Sequence, residues 1–441
     1  MSARRSCDHV LEQLAGSGHG FGELDGTIKG GEKYSDVDPK DQNAIAAFKA
    51  QLGLAATDDH TFRITLQRAA PYFKWIVSLW LAVPVRKDMV EKNPDSWANT
   101  PSTAISNGWY KLKEYVPKDH ITLVPNDNYW GTKPKITNLQ ELIITDETAA
   151  FAKYQNGELD IATVPQADVK ANKSNPEVVR QPQLTVFWIE FNTVKPPFDN
   201  AKVRLAFSKA YDRDKFVSDI VQGGGIPAET FIPKGMNGHD PSLGSYQKFD
   251  AAAAKKMLSD AGTTADKLSA MNITFDYRAD TPLNKSIAEY LVAQIQQNLG
   301  VKLQANPVDS KTLSANLKAG NFSLMAPSGW GADYPDQQDW FDNNLTPPSL
   351  TNRGNNFSGY SNPEYDKLIK QADSIQDESQ RNKLYAQAHK MLCQDAPMAF
   401  LYQRTGISIV KKYVKGMHVT ATDDYPFIGD FDTPSIYIAQ H

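Results

Sequence analysis

The chain has 441 residues, enough for two or three domains, and its 41% hydrophobic content is typical of a globular protein with a large core. The formal net charge is −4 and the 47 basic residues are spread along the chain, which argues against nucleic-acid or anionic-membrane partners, because both favour a basic stripe. The two cysteines and eight histidines form no pair with metal-ligand spacing, so neither a metal nor a cofactor is predicted.

The N-terminal part of the chain shows only weak hydrophobic periodicity, and a series of predicted strands follows it. No apolar stretch follows Arg4 and Arg5 to indicate a signal peptide, and no apolar run reaches the roughly 18 residues that a membrane helix needs. Residues 58–73 predict a turn followed by a strand, and the Pro-, Asn-, Ser- and Thr-rich residues 84–106 indicate a boundary. Strands are then predicted at 107–115, 120–126 and 139–146, and a helix at 147–156.

From residue 184 onward, the predicted elements become more regular. LTVFWIEFN (184–192) is a strongly apolar strand, and residues 201–221 are predicted to form one helix with Asn200 as its N-cap. Beyond residue 250, helices alternate with strands up to residue 329, and this β-α-β-α-β order predicts a largely parallel sheet covered by helices. Two further helices are predicted at 363–375 and 378–393, followed by strand-like segments.

The segment SGWGADYPDQQDW (328–340) concentrates aromatic rings and carboxylates at the end of the third strand of this alternation. In open α/β sheets, ligands bind outside the carboxyl ends of the strands. Asp333 is therefore predicted at the mouth of a cleft, with Trp330 and Tyr334 beside it.

The neighbouring acids raise the alternative of a glycoside hydrolase, which places two carboxylates on opposite sides of the scissile bond. Asp336 and Asp339 are better explained as acids in the first turn of a helix that begins near Pro335, because such acids suit the helix dipole. The sequence contains no G-x-S-x-G, H-E-x-x-H or P-loop pattern. No catalytic residue is assigned, and an enzyme is not expected.

From about residue 45 to 441, a series of motifs resembles those of the peptide-binding class of bacterial extracellular solute-binding proteins, family 5, which feed ABC importers. DDHTFRITL, NGWYKL and NDNYWG resemble its early motifs. NGELDIA, FNTVKPPFDNAKVRLAFSKAYDRDKF and SGWGADYPD resemble its central motifs, and the late helix that ends in DAP resembles its closing segment. Their agreement in order and spacing makes the resemblance specific.

This resemblance implies an α/β, periplasmic-binding-protein-like fold of several lobes, with mixed sheets and a hinged ligand cleft. The expected divisions are a remnant of the small lobe (1–87), part of lobe I (88–184), lobe III (185–410) and a closing segment that returns to lobe I (411–441). The protein is expected to hold an extended oligopeptide as an added strand between lobes and to deliver it to the ABC permease in the membrane. A monomer without a cofactor, in the periplasm or at the cell surface, is expected.

The resemblance also implies which residues bind the ligand. Asp333 matches the aspartate that pairs with the α-ammonium of the peptide, since a buried ammonium needs a carboxylate. Trp330 matches the tryptophan of the same element. The backbone of Gly329 and Gly331 matches the strand that pairs with the peptide, which would give affinity without reading side chains.

Three further side chains are candidates for ligand contact. Glu190 matches a glutamate of the cleft in the oligopeptide binders, and a buried structural carboxylate is the alternative. Tyr402 and Arg404 lie on the closing strand that crosses between lobes, where one of them is expected to face the ligand.

The sequence departs from the family pattern in several places. The cysteines that join the strand and the loop in some members correspond to Thr185 and Gly331, and an arginine that helps hold longer peptides corresponds to Pro327. Members also carry a signal peptide and further residues, so a missing signal peptide and roughly the first hundred residues are expected, together with poor folding and weak binding of the chain as written. Because Trp330 and Trp340 would suit sugar rings, an oligosaccharide or another non-peptide solute is the alternative ligand.

Overall fold

The computed structural model describes residues 27–31, 41–79, 82, 86–345, 354–422 and 434–440. Its N-terminal elements are α1 (Gln42–Gln51), β1 (Leu54–Ala56), β2 (Phe62–Ile64), α2 (Phe73–Ile76) and α3 (Lys87–Lys92). The antiparallel hairpin β1–β2 and the helix α1 enclose a small core, whose buried members are Ile28, Phe48, Leu52, Ala70, Tyr72, Ile76 and Tyr334. We call residues 27–31 and 41–79 around this core the N-terminal unit.

The next elements form a separate antiparallel sheet. They are β3 (Tyr110–Val116), β4 (His120–Pro125) and β5 (Leu139–Leu142), in that spatial order, followed by α4 (Glu147–Gln155) and β6 (Ile161–Thr163). The three strands and the helix lie where the sequence predicts them. The side chain of Asp146 caps α4 by accepting the amide N–H of Ala149 at 2.9 Å.

The central segment contains β7 (Val178–Phe191), α5 (Ala201–Ser208), α6 (Arg213–Asp219) and β8 (Gly225–Pro227). The prediction of one helix over 201–221 is wrong, because the chain breaks between α5 and α6. Asp212 caps α6 by accepting the amide N–H of Lys215. At the break, Asn298 of a distant helix donates to the Ala210 oxygen at 2.7 Å. Tyr290 of the same helix donates at 2.7 Å to the Asp212 oxygen, which also accepts the amide N–H of Phe216 inside α6.

Helices and strands then alternate as the sequence predicts. They are α7 (Ala251–Asp260), α8 (Ala265–Ser269), β9 (Thr274–Arg278), α9 (Pro282–Leu299), β10 (Gln304–Val308), α10 (Ser310–Ala319) and β11 (Leu324–Gly331). The C-terminal elements are α11 (Gln337–Leu345), α12 (Pro363–Ser374), α13 (Glu378–Asp395), β12 (Met398–Val410), β13 (Val414–Lys415) and β14 (Tyr437–Ile438). None of the helices in the described ranges combines the length and apolarity that a membrane crossing requires.

In the described part of the chain, seven strands form the main sheet in the order β10-β9-β11-β7-β12-β6, with β8 also paired to β12. β9 is parallel to both of its neighbours, as its crossover helices require, whereas β7 and β12 make only antiparallel pairs. The parallel pairing predicted for the alternating strands beyond residue 250 is therefore confirmed for β9, β10 and β11, while the other strands of the sheet pair antiparallel. The sheet is mixed, as the fold class implies.

Helices cover this sheet on both faces. Ile189 and Phe191 of β7 belong to one core with α5, α7 and α9, and Val186 and Trp188 belong to a second core with α11, α12 and α13. Because successive side chains of a strand point to opposite faces, a strand that is covered on both faces needs a continuous apolar sequence. This explains the continuous apolar run at residues 186–189 of β7.

The expected lobe boundaries remain a prediction. The boundary at 184/185 lies inside the continuous strand β7. The expected small-lobe remnant (1–87) and closing segment (411–441) lie partly outside the described residues.

His389 of α13 is expected to make the stability of the protein depend on pH. The side chain is 1% exposed, its Nε2 accepts the amide N–H of Phe231 at 3.2 Å, and burial lowers its pKa to about 4. Because the unfolded state binds the proton more tightly, stability is lost as pH falls from the ordinary value of 6.5 towards 4. We expect this histidine alone to remove about 2 kcal/mol between pH 7 and pH 5.

Urea unfolding of the wild type, His389→Gln and His60→Gln at the two pH values tests this prediction. His60 is exposed and serves as the matched control. The His389→Gln protein is expected to lose distinctly less stability on acidification than the other two. An equal loss in all three proteins would contradict the prediction.

Candidate functional site

At its carboxyl end, β11 has one backbone edge that faces away from β7. The register pairs Gly329 with Phe187, Trp330 with Val186 and Gly331 with Thr185, and the amide of Ala332 donates to the Leu184 oxygen at 2.8 Å. Because backbone groups alternate in direction along a strand, those of Gly329 and Gly331 point away from β7.

On that outer side, β9 pairs with β11 only at Leu324 and Met325. Within the described ranges, no strand pairs with the outer edge at Gly329 and Gly331. The strand end therefore offers backbone donors and acceptors to an added strand.

Gly329 permits close packing across these strands. A Cβ atom at this position would lie 2.7 Å from Cδ1 of Phe187 and 2.7 Å from the carbonyl oxygen of Val186. The Phe187 ring in turn stacks on Tyr402, with 4.9 Å between the ring centroids.

The two positions that match the family's cysteines face each other. Gly331 and Thr185 are directly opposite on adjacent antiparallel strands. They form a non-hydrogen-bonded pair, because the backbone bonds lie at the neighbouring pair Ala332 and Leu184. In this chain the packing of β11 against β7 connects the strand and the loop at this point without cysteines.

The segment after β11 carries Asp333 at the surface. Asp333 is exposed and Trp330 is half-buried, so these two predicted site residues lie close together at the carboxyl end of β11. The amide of Asp333 and the indole Nε1 of Trp330 both donate to Oδ2 of Asp339, at 3.0 and 3.2 Å. Asp339 is completely buried in the first turn of α11.

Asp336 has a structural role at the start of α11. Its Oδ1 accepts the amide N–H of Gln338 at 2.9 Å, which is a capping bond. Its carboxylate also pairs with the guanidinium of Arg381, with Nη1–Oδ2 and Nη2–Oδ1 distances of 2.7 and 2.6 Å. Asp336 and Asp339 are therefore both explained by α11, although Asp339 additionally holds the loop.

Tyr334 points away from Asp333 into the protein. Its side chain is 2% exposed and belongs to the core of the N-terminal unit, and its hydroxyl donates to Oε1 of Gln338 at 2.5 Å. The loop therefore does not present Tyr334 beside Trp330, because the ring is needed to fill that core. A contact between Tyr334 and a ligand remains a prediction.

Glu190 lies inside the sheet. It is 2% exposed, and its Oε2 accepts the indole N–H of Trp188 at 2.6 Å. This environment agrees with a buried structural carboxylate, and contact with a ligand remains a prediction.

Tyr402 and Arg404 differ in their surroundings. Tyr402 is 5% exposed and packs between Phe187 and Phe216, and burial raises the pKa of its hydroxyl. Arg404 is half-buried and pairs with Gly225 of β8. Of the two, Arg404 is the one with accessible surface, and its contact with a ligand remains a prediction.

The sequence contained no signal for the contact of Asp339 with Trp330 and Asp333. Its spacing from these residues matches no helical or strand period, and the position in a first helical turn offered a sufficient explanation. Only the path of the loop over the start of α11 reveals it.

Comparison with known proteins gives consistent results. A family model described as "Bacterial extracellular solute-binding proteins, family 5 Middle" matches residues 31–352. The periplasmic oligopeptide-binding protein OppA of Salmonella typhimurium is 33% identical over 400 residues, which cover 88% of this chain and 71% of that protein. The probable deoxycholate-binding periplasmic protein YgiS of Escherichia coli is 30% identical over 408 residues, 90% of this chain and 73% of that protein.

Among solved structures, the murein tripeptide-binding protein MppA of Escherichia coli superposes with a TM-score of 0.74 and 28% sequence identity. The match covers 100% of this chain and 84% of that chain. The mixed sheet and its helical layers therefore have the same fold as this tripeptide-binding protein.

Proposed function

Because the chain belongs to family 5 of the bacterial extracellular solute-binding proteins, we propose that it captures extended oligopeptides as the substrate-binding component of an ABC importer and delivers them to the membrane permease. The related proteins are solute-binding proteins and not enzymes. OppA of Salmonella typhimurium and YgiS of Escherichia coli are named periplasmic proteins, and we propose the periplasm or the cell surface as the location of this protein and a monomer as its working form.

The choice of a peptide as the ligand rests on one observation. The exposed Asp333 follows the edge of β11 that has no strand partner at Gly329 and Gly331 among the described residues. Every peptide carries backbone N–H and C=O groups that must be satisfied when they are buried. The outer edge of β11 would satisfy them by strand addition, which provides affinity without selecting side chains.

Asp333 would then receive the amino terminus of the peptide. An ammonium group that is removed from water requires an opposite charge and hydrogen-bond acceptors. The carboxylate stands two residues beyond Gly331, so a peptide that pairs with Gly329 and Gly331 would begin next to it.

A second candidate is a non-peptide solute. The relationship to YgiS, which is named a probable deoxycholate-binding protein, and the half-buried ring of Trp330 support it. An apolar or sugar ring could stack on this indole, but it would leave the backbone edge of β11 and the Asp333 carboxylate without a matching group.

Titration calorimetry of the wild-type protein separates the two candidates. The ligands are a mixed pool of tri- to pentapeptides, a panel of oligosaccharides and deoxycholate. We expect saturable heat with the peptide pool alone. Saturable binding of an oligosaccharide or of deoxycholate, with no response to peptides, would establish the second candidate instead.

A further inference from the structure

The buried carboxylate of Asp339 connects the predicted ligand-binding loop to a helix. Its Oδ2 accepts the amide N–H of Asp333 at 3.0 Å and the indole N–H of Trp330 at 3.2 Å. These two donors lie on either side of Gly331, whose backbone groups point to the outer edge of β11. A single oxygen atom therefore holds both ends of the segment that would meet the ligand.

The helix that carries Asp339 is itself firmly held. The other oxygen, Oδ1, accepts from Nδ2 of Asn343 one turn further along α11, at 3.2 Å. Trp340 and Phe341 are 0% exposed in the core between α11, α12 and α13. The ion pair between Asp336 and Arg381 connects the start of α11 to α13.

We propose that Asp339 is a positioning residue for the amino group of the ligand: it fixes the backbone at Trp330 and Asp333 so that the Asp333 carboxylate stands beside the open edge of β11. This inference rests on the proposed function. Loop residues are mobile unless they are held, and a binding group that is already in place loses less entropy when the ligand arrives. Buried hydrogen bonds behind a binding residue supply this order.

The contacts also indicate which property of Asp339 matters. Both loop donors reach the same oxygen, so the amide oxygen of an asparagine could accept both of them without the charge. An alanine would leave the Asp333 amide and the Trp330 indole without this acceptor. Asp339→Asn therefore tests the charge, and Asp339→Ala tests the positioning.

The experiment compares trialanine with N-acetyl-trialanine, which lacks the ammonium group. Calorimetric dissociation constants are measured for the wild type, Asp339→Ala, Asp339→Asn and Asn344→Ala. Asn344 is the matched control, because it is buried in the same helix and its Nδ2 donates to the Trp340 oxygen at 3.0 Å. We expect Asp339→Ala to weaken trialanine binding by about 10- to 100-fold, by analogy with the loss seen when the hydrogen-bond partner of a metal ligand is removed.

The preference for the free amine is the ratio of the dissociation constants of N-acetyl-trialanine and trialanine. We expect this ratio to be smaller in Asp339→Ala than in the wild type. Asp339→Asn and Asn344→Ala are expected to keep the wild-type ratio. Equal weakening of both peptides by Asp339→Ala would overturn the proposal, because general destabilisation does not distinguish them. The same loss of preference in Asn344→Ala or Asp339→Asn would also overturn it.

An Asp333→Asn variant separates this inference from the proposed function. If Asp333→Asn loses the preference for the free amine and Asp339→Ala keeps it, the role of Asp339 alone is refuted. If Asp333→Asn keeps the preference, the amine site assigned to Asp333 is refuted, and the action of Asp339 through it is refuted as well.

Discussion

Replacing Asp333 by asparagine is expected to weaken the binding of a peptide with a free amino terminus by about 2–5 kcal/mol, which is at least a 30-fold increase in the dissociation constant. The side chain is exposed in this structure, at the end of the β11 edge that would pair with the peptide. In the complex, a closed cleft would remove the ammonium from water, and without the carboxylate this charge would be buried unpaired.

Titration calorimetry with trialanine measures the effect, and Asp266→Asn is the matched control. Asp266 is an exposed aspartate in α8, so its replacement changes the net charge equally at a residue outside the candidate binding site. We expect this control to bind trialanine like the wild type. Undiminished binding by Asp333→Asn would show that the ligand's amino group is held elsewhere.

Replacing Arg381 by methionine is expected to lower the free energy of unfolding by about 3–5 kcal/mol, because it leaves the partner carboxylate buried without its cation. The side chains of Arg381 and Asp336 are only 8% and 12% exposed. Arg381 also donates to the hydroxyl of Tyr385 at 3.0 Å and to the Ala372 oxygen at 3.2 Å. Its guanidinium further lies near the ring of Tyr72 in the N-terminal unit.

Urea unfolding of Arg381→Met and of the double variant Arg381→Met/Asp336→Asn provides the measurement. The double variant is expected to recover part of the loss, since it no longer buries a lone carboxylate. Lys256→Met is the control, because it breaks the pair with Asp260, whose side chains are 74% and 43% exposed, and such pairs contribute about 0.5 kcal/mol or less. A similar small loss in Arg381→Met would show that the buried pair contributes no more than an exposed one.

Much of the fold could be predicted from the sequence where the conformational preferences of neighbouring residues agree with their surroundings in the folded protein. Thr281 caps α9 and Gly300 ends it with a φ of 76°, and both residues are typical of these positions. The prediction of one helix over 201–221 was wrong, because there the local preference and the tertiary contacts disagree. The local sequence favours one helix, but the Ala210 carbonyl released at the break finds a donor in Asn298 of α9, 88 residues away in the chain.

In the candidate site, too, local proximity could be predicted from the sequence, whereas contacts with distant elements could not. Trp330 and Asp333 are three residues apart at the end of a predicted strand, so their proximity could be inferred from the chain itself. The burial of Tyr334 could not, because it depends on a core formed by residues of the N-terminal unit. The burial of Tyr402 likewise depends on Phe187 and Phe216, which belong to other elements.

The sequence alone reveals the continuous apolar run of β7, the apolar periodicity of α9, the glycine that ends α9, and the ordered motifs that identify the family. The contacts of Asp339 with Trp330 and Asp333 and the pair between Asp336 and Arg381 depend on the three-dimensional fold. So does the lack of a strand partner, among the described residues, at the outer edge of β11 beside Gly329. The physical reason is that periodicity and capping arise from neighbours within a few residues, whereas a buried polar group takes its partner from whichever distant element the fold brings into hydrogen-bonding range.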